Sequence, residues 1–399
     1  MNKNIKLAVA GAVLAMSATA ANAGIIIPAG EWTLDVNGNV NAFAIMGKAK
    51  DNNTITGGLA NTKDTTGESN GQGINTGLLP AWLGFTGTTR QNDTDVSFTI
   101  SMQPNVSDNA ISGDVKVPLF RQANVTFGDK SWGSIKLGKD IGIFASNAIL
   151  NDMTLLGVGA GGAMSGGSTT LGGIGTGYIY AGWKGQVAYT TPNFNGFTAT
   201  VGITNPNQGI SENGVTFVTG LNQDRFGFEG QANYAFAADN FSGKVWVGGA
   251  TYKVKATSAI EYSATAADIG LNLNAGPVGL TGYYYAGEGA GSYMFHSNSV
   301  STTGQKRDSD GGYLQATYVL PTKTKVGLAY GVSKLDLASG ETQSGSIIFK
   351  ENERTTLGLY HPLTKHLNLV GEYNNVESKA HGGTKNTSQT VSLGAILFF

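Results

Sequence analysis

Cysteine is absent from this 399-residue chain, so neither a disulfide framework nor a thiolate metal site can form. Charge is scarce. Asp, Glu, Lys and Arg make up 13% of the residues and leave a formal net charge of −1, which gives nucleic acid no basic surface to bind. Long apolar runs are missing after the N-terminal segment, and a membrane-spanning helix needs about 20 consecutive apolar residues. Histidine is limited to His296, His361, His366 and His381. The close pair, His361 and His366, flanks a short turn with neither strand-face nor helix-face spacing, unlike the usual zinc ligand sets. No Gly-x-Ser-x-Gly elbow occurs. The glycines at 157–162 are not followed by the Lys-Ser/Thr of a phosphate loop. The sequence therefore reads as a non-enzyme that needs no metal and no cofactor.

Glycine is abundant, at 59 residues, and it punctuates segments that alternate apolar and polar residues. The last of these runs over 387–399. Val391, Leu393, Ala395, Leu397 and Phe399 fall on one face, and Ser388, Thr390, Ser392 and Gly394 on the other. Free termini usually fray into water, so an apolar strand at the C-terminus reads as the closing strand of a barrel, with one face in lipid and one toward a lumen. At the N-terminus, Lys3 and Lys6 precede an apolar run over 7–16 and then Ala21-Asn22-Ala23. That is the pattern of an export signal cleaved after Ala23, and the run is too short for a transmembrane anchor. The expected division is a signal peptide at 1–23 and an outer-membrane barrel at 24–399.

Alternating segments are read at 32–48, 78–90, 95–103, 122–127, 134–139, 184–190, 197–204, 224–237, 241–255, 267–275, 278–286, 312–320, 325–335, 350–360, 367–376 and 387–399. They number about sixteen, an even count as in bacterial barrels. The expected fold is an all-β, transmembrane antiparallel β-barrel of about 16 strands. Its connections alternate between short and long along the whole chain. This pattern fits periplasmic turns and outward loops and places both termini on the periplasmic side. Aromatics near strand ends, among them Trp32, Tyr189, Phe197, Tyr234, Tyr360, Tyr373 and Phe399, fit interfacial belts.

The longest connection, 140–182, is apolar in its first part, and its glycines lie mainly from Gly157 onward. Loops of this length without regular structure tend to be functional. Its apolar residues need shelter, so the third long loop is expected to fold into the lumen and narrow it. Charged residues in the polar phase would line the channel, where opposed charges sort permeants. The basic candidates are Lys136, Lys184, Arg225, Lys325 and Arg354, and the acidic ones Glu229 and Glu372. Asp140 and Asp152 would face basic wall residues from the loop. The two signs nearly balance, so the count alone sets no ion preference.

The patterns at 83–87, 133–139 and 189–197 together resemble those of Gram-negative trimeric general diffusion porins. Leu83-Gly84-Phe85-Thr86-Gly87 is similar to the family's second strand. Gly133-Ser134-Ile135-Lys136-Leu137-Gly138-Lys139 is similar to the strand before its constriction loop. Tyr189-Thr190-Thr191-Pro192-Asn193-Phe194-Asn195-Gly196-Phe197, similar to a turn between its sixth and seventh strands, is the most specific of these. The resemblance implies a homotrimer, passive diffusion of small hydrophilic solutes and ions, and contact with outer-membrane lipid and lipopolysaccharide. It also implies that Phe399 is read by the outer-membrane insertion machinery. The loop at 140–182 has few of the carboxylates the family often places there. That departure implies weak selectivity, or a mild anion preference through Lys136, Lys184, Arg225 and Arg354.

The leading reading is a water-filled channel in the outer membrane. Two alternatives stay open. One is a substrate-specific channel for a sugar or amide, with Trp246, Tyr283 and Tyr285 as an aromatic path. The other is an adhesive barrel that displays its loops.

Overall fold

The computed structural model describes residues 24–104, 119–161, 169–206, 211–212, 215–216, 223–258 and 260–399. The export signal read at 1–23 lies outside the described residues, as do parts of the outward loops after 104 and 206.

The strands are β1 Ile25–Ala29, β2 Trp32–Ala49, β3 Asn70–Asn75, β4 Trp82–Gln91, β5 Thr94–Gln103, β6 Leu119–Asp129, β7 Gly133–Ile141, β8 Trp183–Thr190 and β9 Phe197–Thr204. After a two-residue pair, β10 Ser211–Glu212 and β11 Val215–Thr216, come β12 Gly227–Ala238, β13 Phe241–Lys255, β14 Glu261–Ala275 and β15 Val278–Glu288. The series ends with β16 Asp308–Val319, β17 Lys325–Leu335, β18 Phe349–Pro362, β19 Leu367–Ala380 and β20 Lys385–Phe398. Apart from β10 and β11, all belong to one antiparallel sheet.

The sheet closes on itself. β2 pairs with β20 along one edge and with β3 and β4 along the other. β3 and β4 are two halves of one crossing. β1 continues the path of β20: Phe398 faces Asn39 on β2, and Ile25 faces Val36 a few residues further on. Counted this way, the wall is a closed barrel of 16 strands. A closed barrel leaves no unpaired edge, which a lipid environment requires.

Alternation sets the two faces. Leu314, Leu328, Leu357 and Leu393 are each half or more exposed on the outside, with Leu314 at 70% and Leu393 at 59%. Such a continuous apolar belt is stable only against another apolar medium. On β20 the outward residues are Val391, Leu393 and Leu397, while Ser388, Thr390 and Ser392 are buried inside. Both faces of the last strand are those expected from its sequence.

The crossing expected at 78–90 starts instead at Trp82. Residues 76–81 leave the sheet and run inside the barrel. Pro80 cannot donate to a ladder, and the lost strand pairing is replaced by side-chain amides. Asn39 Nδ2 donates to the Pro80 carbonyl and Asn41 Nδ2 to that of Leu79, each at 2.9 Å. Asn41 Oδ1 accepts from Gly77 N at 2.9 Å. The detour brings Leu78 N within 2.9 Å of the Gly157 carbonyl, so the wall itself reaches in to touch the long loop.

Candidate functional site: the loop across the lumen

The described residues of the connection between β7 and β8, 142–161 and 169–182, lie inside the barrel. Its apolar residues Phe144, Ala148, Ile149, Ile174, Tyr178 and Ile179 are buried, and they pack with inward residues of β13 to β16, including Trp246, Tyr252, Tyr283, Tyr285 and Tyr313. A short helix, α1 (Ser146–Asn151), and a 3₁₀ turn at Met153–Leu156 form its inner segment. Without regular structure over most of its length, the loop must bond its backbone elsewhere, because buried N–H and C=O groups are costly when unpaired. The wall supplies the partners.

Three carboxylates do most of this. Glu229 Oε2 accepts from Ile143 N at 2.7 Å and Phe144 N at 3.1 Å. Its other oxygen takes Lys184 Nζ at 2.7 Å and the Tyr252 hydroxyl at 2.5 Å. Glu372 Oε2 accepts from Val158 N at 3.0 Å and Gly159 N at 2.8 Å, and Oε1 from the Tyr360 hydroxyl at 2.7 Å. Asp152 works in the other direction, from loop to wall. Its Oδ2 accepts from Gly173 N and the Tyr178 hydroxyl, and it stands 3.7 Å from Arg354 Nη2. Neutral groups fill the gaps. Gln315 accepts from Met153 N and donates to the Asn151 carbonyl, Tyr313 donates to the Ala148 carbonyl, and Ser333 accepts from Gly177 N. Gly157 sits so close to Glu372 that a Cβ there would collide with the carboxylate.

The nine residues picked out by sequence therefore divide. Lys184, Glu229, Asp152, Arg354 and Glu372 converge on the loop, but they are buried; Asp152 and Arg354 are each 1% exposed. Lys136 and Asp140 pair with each other on β7, and Gln122 also donates to Asp140 at 3.1 Å. The Lys325 ammonium lies 5.0 Å from the Tyr360 ring centroid. Arg225 joins none of these groups. It precedes β12, is exposed, and lies 3.8 Å from its neighbour Asp224. The aromatic residues read as a solute path, Trp246, Tyr283 and Tyr285, face inward as their phase requires but are covered by the loop. They form its bed and offer no open track.

Sequence reasoning missed Tyr252, Tyr313, Gln315 and Asn147, which hold the loop or orient its anchors, and it set Tyr360 in the outward belt, whereas that ring is buried inside with its hydroxyl on Glu372. The signal was present: Tyr252, Tyr313 and Tyr360 share a face with polar residues of their strands, where an aromatic ring needs a partner to cover it.

Other loops add to the plug. The segment before β16 is buried at Ala290, Phe295, His296 and Ser299, and Tyr180 N donates to the Tyr293 carbonyl at 2.9 Å. Near β18 and β19, Leu59 N donates to Ser378 Oγ at 2.8 Å. The inward residues of β17 to β20 and of β2 beyond Gly38 are almost all buried. Those of β4 to β9 are not. Thr86, Ser97, Thr99, Thr126, Thr190 and Thr200 keep exposed surface, and a cavity of about 960 Å³ opens at the short-turn end beside Thr88, Arg90, Asp95, Ser97, Thr126 and Ser134.

The family model described as Gram-negative porin matches residues 8–381. Among solved structures, the chain is similar to the outer membrane channel DcaP of Acinetobacter baumannii, with 18% identity, a TM-score of 0.67 and coverage of 94% of this chain and 100% of that one. It is similar to the anion-selective porin from Comamonas acidovorans, at 16% identity and a TM-score of 0.61, over 92% of this chain and 100% of that one. In-vitro folded OmpT of Vibrio cholerae, in its trimer form, gives 13% identity and a TM-score of 0.54 over 92% of this chain and 99% of that one. No curated protein sequence matches the chain.

Proposed function

The chain belongs to the Gram-negative porin family, and from that premise we propose that solutes cross its barrel along the hydroxyl-lined wall of β4 to β9. The protein is an outer-membrane channel for passive diffusion. The observation that carries the choice of lane is the contrast between the two sides of the lumen. Loops cover the inward faces of β17 to β20 and β2, while Thr86, Ser97, Thr99, Thr126, Thr190 and Thr200 on β4 to β9 are only half-buried. A wall of hydroxyl groups can exchange hydrogen bonds with water and with neutral or charged solutes alike, which suits general diffusion.

The loop at 140–182 sets the narrowest point, and the buried ion pairs set its position. Charges consumed in that task do not meet permeants, because a desolvated pair at Lys184–Glu229 or Asp152–Arg354 is already compensated. Ion preference then falls to the charges left in the lumen. Lys244 and Lys325 have no carboxylate partner among the described residues, and Lys136 remains partly exposed beside its buried partner Asp140. Against them stand the half-buried Asp35 and the buried Asp268, also without a cation partner among the described residues, so the exposed balance is slightly basic and the channel favours anions mildly. The short turns face the periplasm, residues 1–23 are removed on export, and three copies assemble, as in the trimer form of Vibrio cholerae OmpT.

Purified protein in a planar bilayer under a tenfold KCl gradient tests this reading. The expected result is stepwise conductance with a reversal potential shifted toward the chloride equilibrium value. A cation-directed shift would remove the lysines from the conducting path, and absence of current from folded protein would overturn the lane itself.

A further inference from the structure

We propose that the lumen wall beneath α1 carries a binding site for a small oxyanion, formed by Lys244, Asn233 and Gln231 around Asn147. The site lies on β12 and β13, next to β9 at the edge of the proposed lane, and the inference rests on that reading because its side chains must meet the same water.

The argument starts from a residue that can only donate. Lys244 Nζ donates to Asn147 Oδ1 at 2.7 Å. An ammonium has no acceptor, so this contact fixes which end of the Asn147 amide faces it. The Asn147 Nδ2 group must then point the other way, where it donates to Gln231 Oε1 and Asn233 Oδ1, each at 2.7 Å. Those two bonds turn the oxygen end of each amide toward Asn147 and occupy one lone pair of each. What remains of each amide is its NH₂ group, and neither has a partner among the described residues. Lys244 keeps two unspent N–H bonds. One loop residue has thus drawn the oxygen ends of two wall amides toward itself and left their NH₂ groups, with the Lys244 ammonium, as donors without a partner among the described residues.

Nothing nearby neutralises that surface. Lys244 has no carboxylate within ion-pair distance among the described residues. Asp268, the acid on neighbouring β14, accepts from the Tyr283 hydroxyl at 3.1 Å and is buried. The ammonium lies 5.2 Å from the Trp246 ring centroid, which limits its freedom to swing away. Lys244, Asn233 and Gln231 are all only partly buried. A donor array with one uncompensated positive charge recognises a compact anion whose oxygens accept several bonds at once. Phosphate and carboxylate share that chemistry.

The test uses full-length protein and inorganic phosphate, with acetate as a second probe. Two readouts are taken: the phosphorus-31 line width of phosphate added to protein in detergent, and the single-channel chloride current at rising phosphate. We expect the line to broaden in a saturable way and the current to fall at millimolar phosphate. Lys244→Gln should raise the half-effect concentration at least tenfold. Asn147→Asp, which keeps the lysine and gives it a carboxylate, should do the same, so the outcome does not hang on one substitution. Lys385→Gln, at the end of β20 and far from the site in sequence, serves as the control that leaves binding unchanged. Competition by acetate would extend the site to carboxylates; none would restrict it to phosphate-like anions. Unsaturable broadening, or equal binding in wild type and both site variants, overturns the proposal. A silent bilayer with Lys244-dependent broadening would instead sink the conducting lane and leave the site standing.

Discussion

At the scale of single residues, the lumen shows how a polar wall can hold a loop that has little regular structure. Glu229 and Glu372 each accept two consecutive backbone N–H groups of the loop, which is charge-assisted bonding of the stronger kind. Arg354 is more exposed to loss. Among the described residues its only close carboxylate is Asp152, itself buried, and its Nη1 donates to Thr356 Oγ1 at 2.7 Å. Removing one member of such a pair leaves the other charged and desolvated, at a cost of about 3–5 kcal/mol. Arg354→Met is therefore expected to loosen the segment around Asp152, raising single-channel current and its noise. A conductance and noise level unchanged from wild type would show that the hydrogen bonds from Thr154, Gly173 and Tyr178 suffice for Asp152 without the arginine.

At the scale of elements, the segment between β15 and β16 is the one most open to pH. His296 lies in it with a positive φ of 76°, 3% exposed, and neither ring nitrogen makes a well-formed hydrogen bond among the described residues. It packs edge-on against Tyr252, Tyr262 and Phe295. Burial, with a smaller contribution from Lys184, lowers its pKa from 6.5 to about 3; the Gly289 backbone opposes the shift. The charged groups facing this cluster are Lys184 and its partner Glu229. With the docked pKa depressed, an undocked loop binds a proton more readily. Docking is therefore unaffected above pH 6.5 and weakens as pH falls from there toward 3, by at most about 1.4 kcal/mol per pH unit. Proteolysis within 289–307 should rise between pH 7 and pH 4.5 in wild type and stay flat in His296→Phe. Equal cleavage at both pH values in wild type would contradict this account. These elements also show what the sequence made legible. Strands β9, β13 and β17 match their alternating segments residue for residue, because each has one apolar and one polar face and few breaks. The detour at 76–81 was not legible. Its alternation through Leu79, Leu83 and Phe85 continues a strand pattern, and only the partners on β2 and in the loop reveal that the chain turns inward.

At the scale of the whole molecule, the same chemistry explains both the membrane face and the conducting face. Charge of either sign in a polar phase reads as a pore lining, yet half of the charges so placed are spent on holding the loop, and sequence cannot say which. That depends on where the loop's backbone lies, which is set by contacts more than 80 residues apart, as between Ile143 and Glu229 or Val158 and Glu372. The absence of cysteine from the chain makes the central claim directly measurable. Thr99→Cys, on the exposed wall, and Ser392→Cys, on the covered one, can each be treated with a charged water-soluble methanethiosulfonate during single-channel recording. If solutes pass along β4 to β9, reagent cuts the current stepwise in Thr99→Cys and leaves Ser392→Cys untouched. Block at Ser392→Cys with none at Thr99→Cys would place the water path on the opposite wall and contradict the account.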